Sequence, residues 1–454
     1  MNKLKYIGLV VCLIVCSSCM KDFLEVKSDA GIGTPYQLAD YQAMMDNSAN
    51  VMNAGASRLL NILGADEYYL PSNVWESWAT NWHKNAYIWA EDVYDGKGSD
   101  DYNKGYLRIL YSNLVLEGLQ GIDRTKINAS DWDNVKGSAL FFRANNYYQL
   151  AQLFAPAYNE STKEKDPGLR IRLESDVTAK SKFATLGETY ALILQDLNEA
   201  LSLLPEKSKH VMRPSKSACY GLLARVYLLM DKYAEARDAA EKYLTTNNYL
   251  LDYNTLKPQD TYPFPTGYGA QNSEVLFFNY TLALGLLSQS RMHVDPDLLN
   301  LYEAGDLRKS LFYKAGTINN SYFRGSYYGG ALFFVGISTS EILLIRAETN
   351  ARLGDGDLAL KDINRLRKYR FSSKDPVEEI TFSEEEEVLQ YVLDERRREL
   401  AFRGLRWEDL RRLNKEPKYA TDIIREVSGT KYVLKANSTK YVWPLGDDVL
   451  SKNK

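Results

Sequence analysis

Two stretches of the chain carry the same paired-helix pattern, and this repetition limits most strongly what the chain can fold into. In each stretch apolar residues recur at helical spacing, stop at a short polar turn, and resume beyond it. Ala224 and Ala236 in the first stretch have the same separation as Ala347 and Ala359 in the second. Small residues at these places let two helices approach closely, so the pattern predicts helical hairpins. The two stretches are residues 214–246 and 341–370.

Further helices are predicted on both sides of these hairpins. Residues 135–155 and 186–204 read as the two halves of another pair separated by an insertion, and Thr185 with Glu188 forms a capping box before the second half. Ser383 begins a second capping box, which predicts a helix reaching Phe402. The offsets resemble those of tetratricopeptide repeats, although the units are not in tandem. We therefore predict a mainly α fold with a tetratricopeptide-like hairpin scaffold.

Two irregular stretches interrupt this scaffold. Residues 61–106 are rich in aromatic residues, and residues 247–335 hold many Tyr, Gly, Pro and Asn with only short β-like runs. Loops carried by a rigid scaffold are where binding residues concentrate. We expect both stretches to lie over the helices and to contribute ligand contacts.

The first residues predict the compartment. Lys3 and Lys5 precede an uncharged apolar run, and small residues lead to Cys19. This run is too short to span a membrane and is typical of a signal peptide. We interpret residues 1–18 as a lipoprotein signal and Cys19 as the lipidated residue, with an ordinary signal peptide cleaved nearby as the alternative. Cys219 is then the one cysteine left, which excludes an internal disulfide.

Composition and motifs argue against several classes of function. The formal net charge is -3, so no basic excess points to nucleic acid. His83, His210 and His293 stand apart and form no metal-binding motif, and no phosphate loop, dinucleotide fingerprint or nucleophile elbow occurs. We predict no cofactor, no metal site and no catalytic residues.

An aromatic cluster is the first candidate for a ligand site. Four of the 7 tryptophans lie close together in the first irregular stretch, with 33 tyrosines in the whole chain. Aromatic rings beside short polar side chains suit sugars, which have an apolar face of C–H groups and a polar rim. Trp75, Trp78 and Trp82 also fall at helical spacing, so a buried core stripe is the alternative. Trp89 is predicted to be core. The candidate residues are Asp66, Trp75, Trp78, Asn81 and Trp82.

Two later loops are further candidates. The loop 262–269 contains Tyr268, and Arg291 and His293 follow it in the sequence. The loop 322–330 alternates tyrosines with glycines, which permit exposed and adjustable backbone. Simple structural turns explain both loops equally well.

Several motifs in order carry a resemblance to a known family. Residues 395–412, Glu-Arg-Arg-Arg-Glu-Leu-Ala-Phe-Arg-Gly-Leu-Arg-Trp-Glu-Asp-Leu-Arg-Arg, resemble the C-terminal motif of the SusD/RagB family of Bacteroidetes. The opening after Cys19, the helices around Ala144, Ala224 and Ala359, and the closing Trp443-Pro444-Leu445 agree with it as well. The resemblance covers essentially the whole chain after the signal.

The resemblance implies a fold, a role and partners. The family fold has about four tetratricopeptide-like pairs and a loop-rich half that faces the ligand, so we expect residues 19–454 to form a single domain. Members are outer-membrane lipoproteins that lie on a SusC-type TonB-dependent barrel, and they bind glycans or peptides without catalysis. We expect this chain to be lipid-anchored on the outer membrane, facing outside. The C-terminal motif is expected to be structural, with ion pairs above Phe402 and Trp407.

Three functions remain open from the sequence. The first is a nutrient-binding lipoprotein that delivers an oligosaccharide or an oligopeptide to its transporter, and the clustered tryptophans favour the oligosaccharide. The second is a helical-repeat scaffold that binds only proteins. The third is an anchored hydrolase, for which no carboxylate pair stands out.

Overall fold

The computed structural model describes residues 35–267, 269, 271–288, 290–316, 320–374, 377–382 and 384–451. The predicted signal peptide, Cys19, Tyr268 and Ser383 lie outside the described residues. In chain order the helices are α1 (Leu38–Met45), α2 (Leu59–Gly64), α3 (Ser72–Ser77), α4 (Asn81–Tyr87), α5 (Asp100–Gly118), α6 (Ala129–Phe154), α7 (Leu186–Leu203), α8 (Lys216–Leu229), α9 (Tyr233–Thr246), α10 (Pro296–Asn300), α11 (Leu307–Phe312), α12 (Thr339–Arg352), α13 (Gly356–Lys368), α14 (Glu385–Glu399), α15 (Arg406–Leu413) and α16 (Asp447–Ser451).

The strands are short and pair two by two. They are β1 (Tyr68–Tyr69), β2 (Pro167–Arg170), β3 (Phe183–Thr185), β4 (Val275–Phe277), β5 (His293–Val294), β6 (Tyr313–Ala315), β7 (Ser321–Phe323), β8 (Ile337–Ser338), β9 (Ile423–Val427) and β10 (Thr430–Leu434). The antiparallel pairs are β1–β5, β2–β3, β4–β8, β6–β7 and β9–β10. No larger sheet occurs in the described part of the chain, so the helices form the scaffold.

The long helices pack as the sequence predicts. Helix α6 lies against both α5 and α7, α8 against α9, and α12 against α13, while α9 joins the last two hairpins through α12. Ala224, Ala236 and Ala359 are fully buried where the paired helices meet. The mainly α, tetratricopeptide-like scaffold is therefore confirmed, and the hairpin β2–β3 occupies the predicted insertion between α6 and α7.

Helix ends follow local chemistry. Thr185 and Glu188 form the predicted capping box, with the Glu188 amide donating to Thr185 Oγ1 at 3.1 Å and the Thr185 amide donating to Glu188 Oε2 at 2.7 Å. Helix α14 ends at Glu399, short of the predicted Phe402, because Phe402 and Gly404 have φ angles of 58° and 67°. The left-handed backbone there turns the chain into α15.

The two irregular stretches meet across a short strand pair. Strand β1 follows α2 in the first stretch, and β5 lies in the second, with Tyr68 opposite Val294 and Tyr69 opposite His293. The Asp295 amide extends the contact by donating to the Glu67 carbonyl at 3.0 Å. Two segments that are far apart in the sequence therefore form one surface.

The C-terminal motif is buried among charges, as expected for a structural role. Arg370 has no exposed surface and bonds Glu399 through Nε and Nη2 at 2.9 Å, and Glu274 through Nη2 at 2.9 Å. Arg308 binds Glu395 at 2.6 Å and Glu399 at 3.1 Å. Burial favours the protonated carboxyl of Glu395, but the charges of Arg308 and Arg398 outweigh it and lower its pKa to about 2. Phe402 and Trp407 are buried, which confirms that prediction.

None of the helices formed by the described residues combines the length and the apolar composition that a membrane span requires.

Candidate ligand-binding surface

The three candidate tryptophans do not lie on one helix. Trp75 belongs to α3, Trp78 ends that helix with extended backbone, and Trp82 lies in α4. All three are half-buried. Trp89 alone of the four is fully enclosed, at 2% exposure, with its indole N–H donating to the Gly64 carbonyl at 3.1 Å, as expected for a core residue. The first three therefore do not form a stripe on one helix, although each packs, partly buried, against the hydrophobic core.

Trp78 and His83 form a fixed pair. The Trp78 indole N–H donates to His83 Nδ1 at 2.8 Å. Burial lowers the pKa of His83 to about 4, so its ring is neutral near pH 7 and can accept this bond. The rings of Trp82 and His83 meet edge to face, with centroids 4.0 Å apart and an interplanar angle of 76°. His83 thus sets the relative orientation of the two indoles.

Arg291 lies over the ring of Trp78. Its guanidinium carbon is 5.1 Å from the ring centroid, which is a cation–π distance. Nη1 of Arg291 donates to the Gly285 carbonyl at 2.9 Å and to Ser288 Oγ at 3.1 Å. A Cβ on Gly285 would lie 2.9 Å from Cη2 of Trp78, so a glycine is needed at this close approach. The structure therefore brings together the predicted residues Trp78, Trp82 and Arg291.

Trp75 and Asn81 lie beside this group with other partners. The Trp75 indole N–H donates to the Lys84 carbonyl at 3.2 Å, and the Lys84 ammonium lies 4.6 Å from its ring centroid. Lys84 therefore covers one face of Trp75. Asn81 is exposed, and its amide donates to Asp95 Oδ2 at 2.9 Å.

Asp66 has a different environment from the one expected for a ligand residue. Its two oxygens accept from Nε and Nη2 of Arg406 at 2.7 and 2.8 Å, and Arg397 adds a contact at 3.3 Å. Burial favours the protonated form, but the charges of Arg406 and Arg397 outweigh it and hold the pKa of Asp66 well below its usual range. The carboxylate ties the start of the aromatic segment to the C-terminal motif, so we do not include it in the surface. The predicted contact Tyr268 lies outside the described residues.

A second aromatic group adjoins the first through the segment 291–293. His293 Nδ1 lies 3.2 Å from the Tyr69 hydroxyl, and Asn320 Nδ2 lies 2.9 Å from His293 Nε2. The imidazole also meets the rings of Tyr69 and Tyr322 edge-on, at centroid distances of 5.1 and 5.3 Å. Met292, between Arg291 and His293, is buried. We call Trp78, Trp82, Arg291, Tyr69, His293 and Tyr322 the aromatic surface.

A small cavity lies beside the aromatic surface. Its volume is about 250 Å³, and its wall includes Tyr262, Ser288, Ser290, Arg324, Ser326 and Phe333. The cavity wall is formed by residues of both later candidate loops and of the segment that contains Arg291. The sequence left three candidate stretches as separate alternatives, whereas the fold places them next to one another.

A larger groove, which the sequence did not indicate, lies on the helical scaffold. It has a volume of about 980 Å³ between α5 and residues 170–183. Its aromatic wall residues are Tyr102, Tyr106 and Phe183, and the Arg170 guanidinium carbon lies 4.3 Å from the ring centroid of Phe183. It contains no tryptophan, so the aromatic surface remains the better match to a sugar-binding site.

No group of three or more His, Cys, Asp or Glu side chains among the described residues is arranged to hold a metal ion.

Comparisons with known proteins agree over most of the chain. Residues 22–228 match a SusD-like family described as starch-binding and associating with the outer membrane, and residues 331–454 match the SusD family. A SusD-like protein, P2, of Formosa agariphila is 25% identical over 357 residues, which are 65% of this chain and 67% of that protein.

Solved structures show the same fold. The structure of a putative sugar-binding protein from Bacteroides vulgatus has a TM-score of 0.72 at 19% identity, covering 92% of this chain and 97% of that one. A SusD superfamily protein from Bacteroides thetaiotaomicron also has a TM-score of 0.72, at 20% identity, covering 92% and 98% of the two chains.

Proposed function

Because the chain belongs to the SusD family, whose members associate with the outer membrane, we propose that it is a nutrient-binding protein that takes an oligosaccharide on its aromatic surface. It would act as a lipid-anchored lid, outward-facing and without catalytic activity, that delivers this ligand to a SusC-type TonB-dependent barrel.

The observation that carries this proposal is the arrangement of Trp78, His83, Trp82 and Arg291. Trp78 is held by a hydrogen bond to His83 and by the Arg291 guanidinium, and Trp82 by its ring contact with His83, so these half-buried rings lose little freedom when a ligand binds. A few placed polar groups beside apolar walls are what ligand sites commonly provide. The matched family is described as starch-binding and the solved Bacteroides vulgatus structure as a putative sugar-binding protein, which supports a glycan as the ligand.

Trp82 is the residue to test first. In the described part of the chain its indole makes a ring contact to His83 and no hydrogen bond, so its removal leaves no buried polar group unpaired. We expect Trp82→Ala to weaken oligosaccharide binding about five- to thirtyfold, since one stacking platform contributes on the order of 1–2 kcal/mol. Isothermal titration of the purified protein against oligosaccharide and short-peptide panels measures this.

Trp132→Ala is the matched control. Trp132 is also half-buried, but it lies on α6 of the scaffold, where its N–H donates to the Ile122 carbonyl at 3.0 Å. The control should bind as the unaltered protein does. Equal losses of affinity in Trp82→Ala and Trp132→Ala would contradict the proposed site. Peptide binding that is unchanged in Trp82→Ala would also contradict it and would favour the oligopeptide alternative.

The delivery step predicts a partner in the membrane. When the full chain is purified with an affinity tag from outer membranes in mild detergent, a barrel of the TonB-dependent SusC type should co-elute in near-stoichiometric amount. An identically tagged lipoprotein of another family serves as the control. Elution of the tagged chain alone at high yield would leave the delivery role without support.

A further inference from the structure

Two arginines beside the cavity have no ion-pair partner among the residues that the structure describes. Arg324 lines the cavity and Arg291 is hydrogen-bonded to Ser288, which also lines it. Among the described residues no carboxylate oxygen lies within 4.0 Å of either guanidinium. Asp260 is exposed and acts on Arg324 only at longer range.

Arg291 is held in place with part of its hydrogen-bonding capacity unused. Nη1 donates to the Gly285 carbonyl and to Ser288 Oγ, and the guanidinium contacts the ring of Trp78. Nε and Nη2 make no hydrogen bond to any described residue. A guanidinium presents its donors in a rigid fork that matches two oxygens of one acidic group. The unused edge of Arg291 is such a fork.

Arg324 adds positive charge without being free to move. It is 8% exposed, and its Nη1 and Nη2 donate to the carbonyls of Asp260, Pro258 and Ser310. Its Nε is buried without a hydrogen-bond partner among the described residues. Because that Nε has almost no accessible surface, Arg324 contributes a fixed positive charge to the cavity wall and not a free donor.

Arg406 shows how the chain neutralises an arginine where the role is structural. Both oxygens of Asp66 engage it in a two-point pair. Arg291 keeps its positive charge at a half-buried surface, where pairing is stronger than in water because solvent screens it less. Half-burial of an unpaired guanidinium costs part of its solvation free energy, and an anionic group on a ligand would offset that loss.

Resting on the proposed function, we propose that the oligosaccharide carries acidic groups, either uronate carboxylates or sulfate esters, and that Arg291 binds one of them at the mouth of the cavity. The tryptophans supply affinity for the sugar rings, and Arg291 selects the charged ligand. The cavity, at about 250 Å³, is smaller than most sites for whole ligands, so it suits one unit of a longer chain.

The test uses matched pairs of glycans. Oligosaccharides of pectin, alginate, glucuronoxylan, carrageenan and chondroitin sulfate are each titrated beside their carboxyl-reduced or desulfated form. We expect one acidic member to bind about ten- to a hundredfold tighter than its neutral partner, as for hydrogen bonds to a charged group. The uronate and sulfate pairs separate the two sources of the anion. High salt should reduce the preference.

Arg291→Gln should bring the affinities for the acidic glycan and its neutral partner within about twofold of each other, so the readout is their ratio and not the affinity for either one alone. The control variant Arg124→Gln removes an exposed arginine that pairs with Asp133 on the scaffold, and it should retain the preference for the acidic glycan. The inference is overturned if a neutral glycan binds as tightly as its acidic partner, or if the acidic preference survives in Arg291→Gln. Either result leaves the proposed function standing. Failure of every glycan to bind overturns the proposed function, and the inference with it.

Discussion

Replacing Arg370 by methionine is expected to lower the free energy of unfolding by about 3–5 kcal/mol, because the side chain neutralises two buried carboxylates at once. Arg370 is fully buried, bonds Glu274 and Glu399 at 2.9 Å, and has its guanidinium carbon 4.0 Å from the ring centroid of Tyr253. Methionine fills similar space but leaves the acids facing each other without this cation. Chemical denaturation followed by tryptophan fluorescence measures the loss.

Arg124→Met is the control for Arg370→Met. Arg124 pairs with Asp133 at 2.7 Å, but its side chain is 51% exposed, and solvent screening leaves such surface pairs with little effect on stability. Adding Glu274→Gln and Glu399→Gln to Arg370→Met should recover part of the stability, since uncharged amides need no neutralising cation. If Arg370→Met cost no more than Arg124→Met, the network would not be a source of stability.

Glu67→Gln is expected to flatten the pH dependence of stability between pH 5 and pH 8. Burial raises the pKa of Glu67 from 4.5 to about 8, although the Phe402 amide donates to its Oε1 at 2.6 Å. The folded protein therefore keeps a proton that the unfolded chain has released, so stability falls as pH rises through this window. The fall attributable to Glu67 is up to about 4 kcal/mol, at about 1.4 kcal/mol per pH unit.

The slope of unfolding free energy against pH is the quantity to compare. Glutamine adds N–H donors where Oε2 of Glu67 has no hydrogen-bond partner among the described residues, and this lowers stability by the same amount at every pH. Asp101, whose pKa burial raises to about 7, still contributes a fall of the same sign in the variant. Parallel slopes for the variant and the unaltered protein would show that Glu67 is already ionised in the fold.

Local patterns were enough to predict the scaffold. The spacing of Ala224, Ala236, Ala347 and Ala359 predicted the hairpins because close helix packing depends on residues only a few turns apart. The capping box at Thr185 is likewise complete within four residues. The end of α14 was missed because the left-handed conformation of Phe402 depends on its tertiary surroundings, and a phenylalanine gives no local signal for it.

The site was harder to predict, because its partners are remote. Nothing around Asp66 indicates that Arg406 occupies both of its oxygens. Strands β1 and β5 are two residues each, too short for any alternating pattern to reveal their pairing. The sequence therefore named Trp78, Trp82 and Arg291 as separate candidates, and their proximity came only from the fold.

The pairing of β1 with β5 also determines when the aromatic surface forms. Tyr69 and His293 are separated by 224 residues, and the Asp66–Arg406 pair behind them by 340 residues. Contacts of such high sequence separation form slowly, whereas helical hairpins need only neighbouring segments. A chain emerging from a ribosome can thus build its first hairpins early, whereas β1 can pair with β5 only after Val294 has emerged, and the Asp66–Arg406 pair behind them closes only after Arg406. On the proposed function, ligand capture therefore belongs to the late stages of folding.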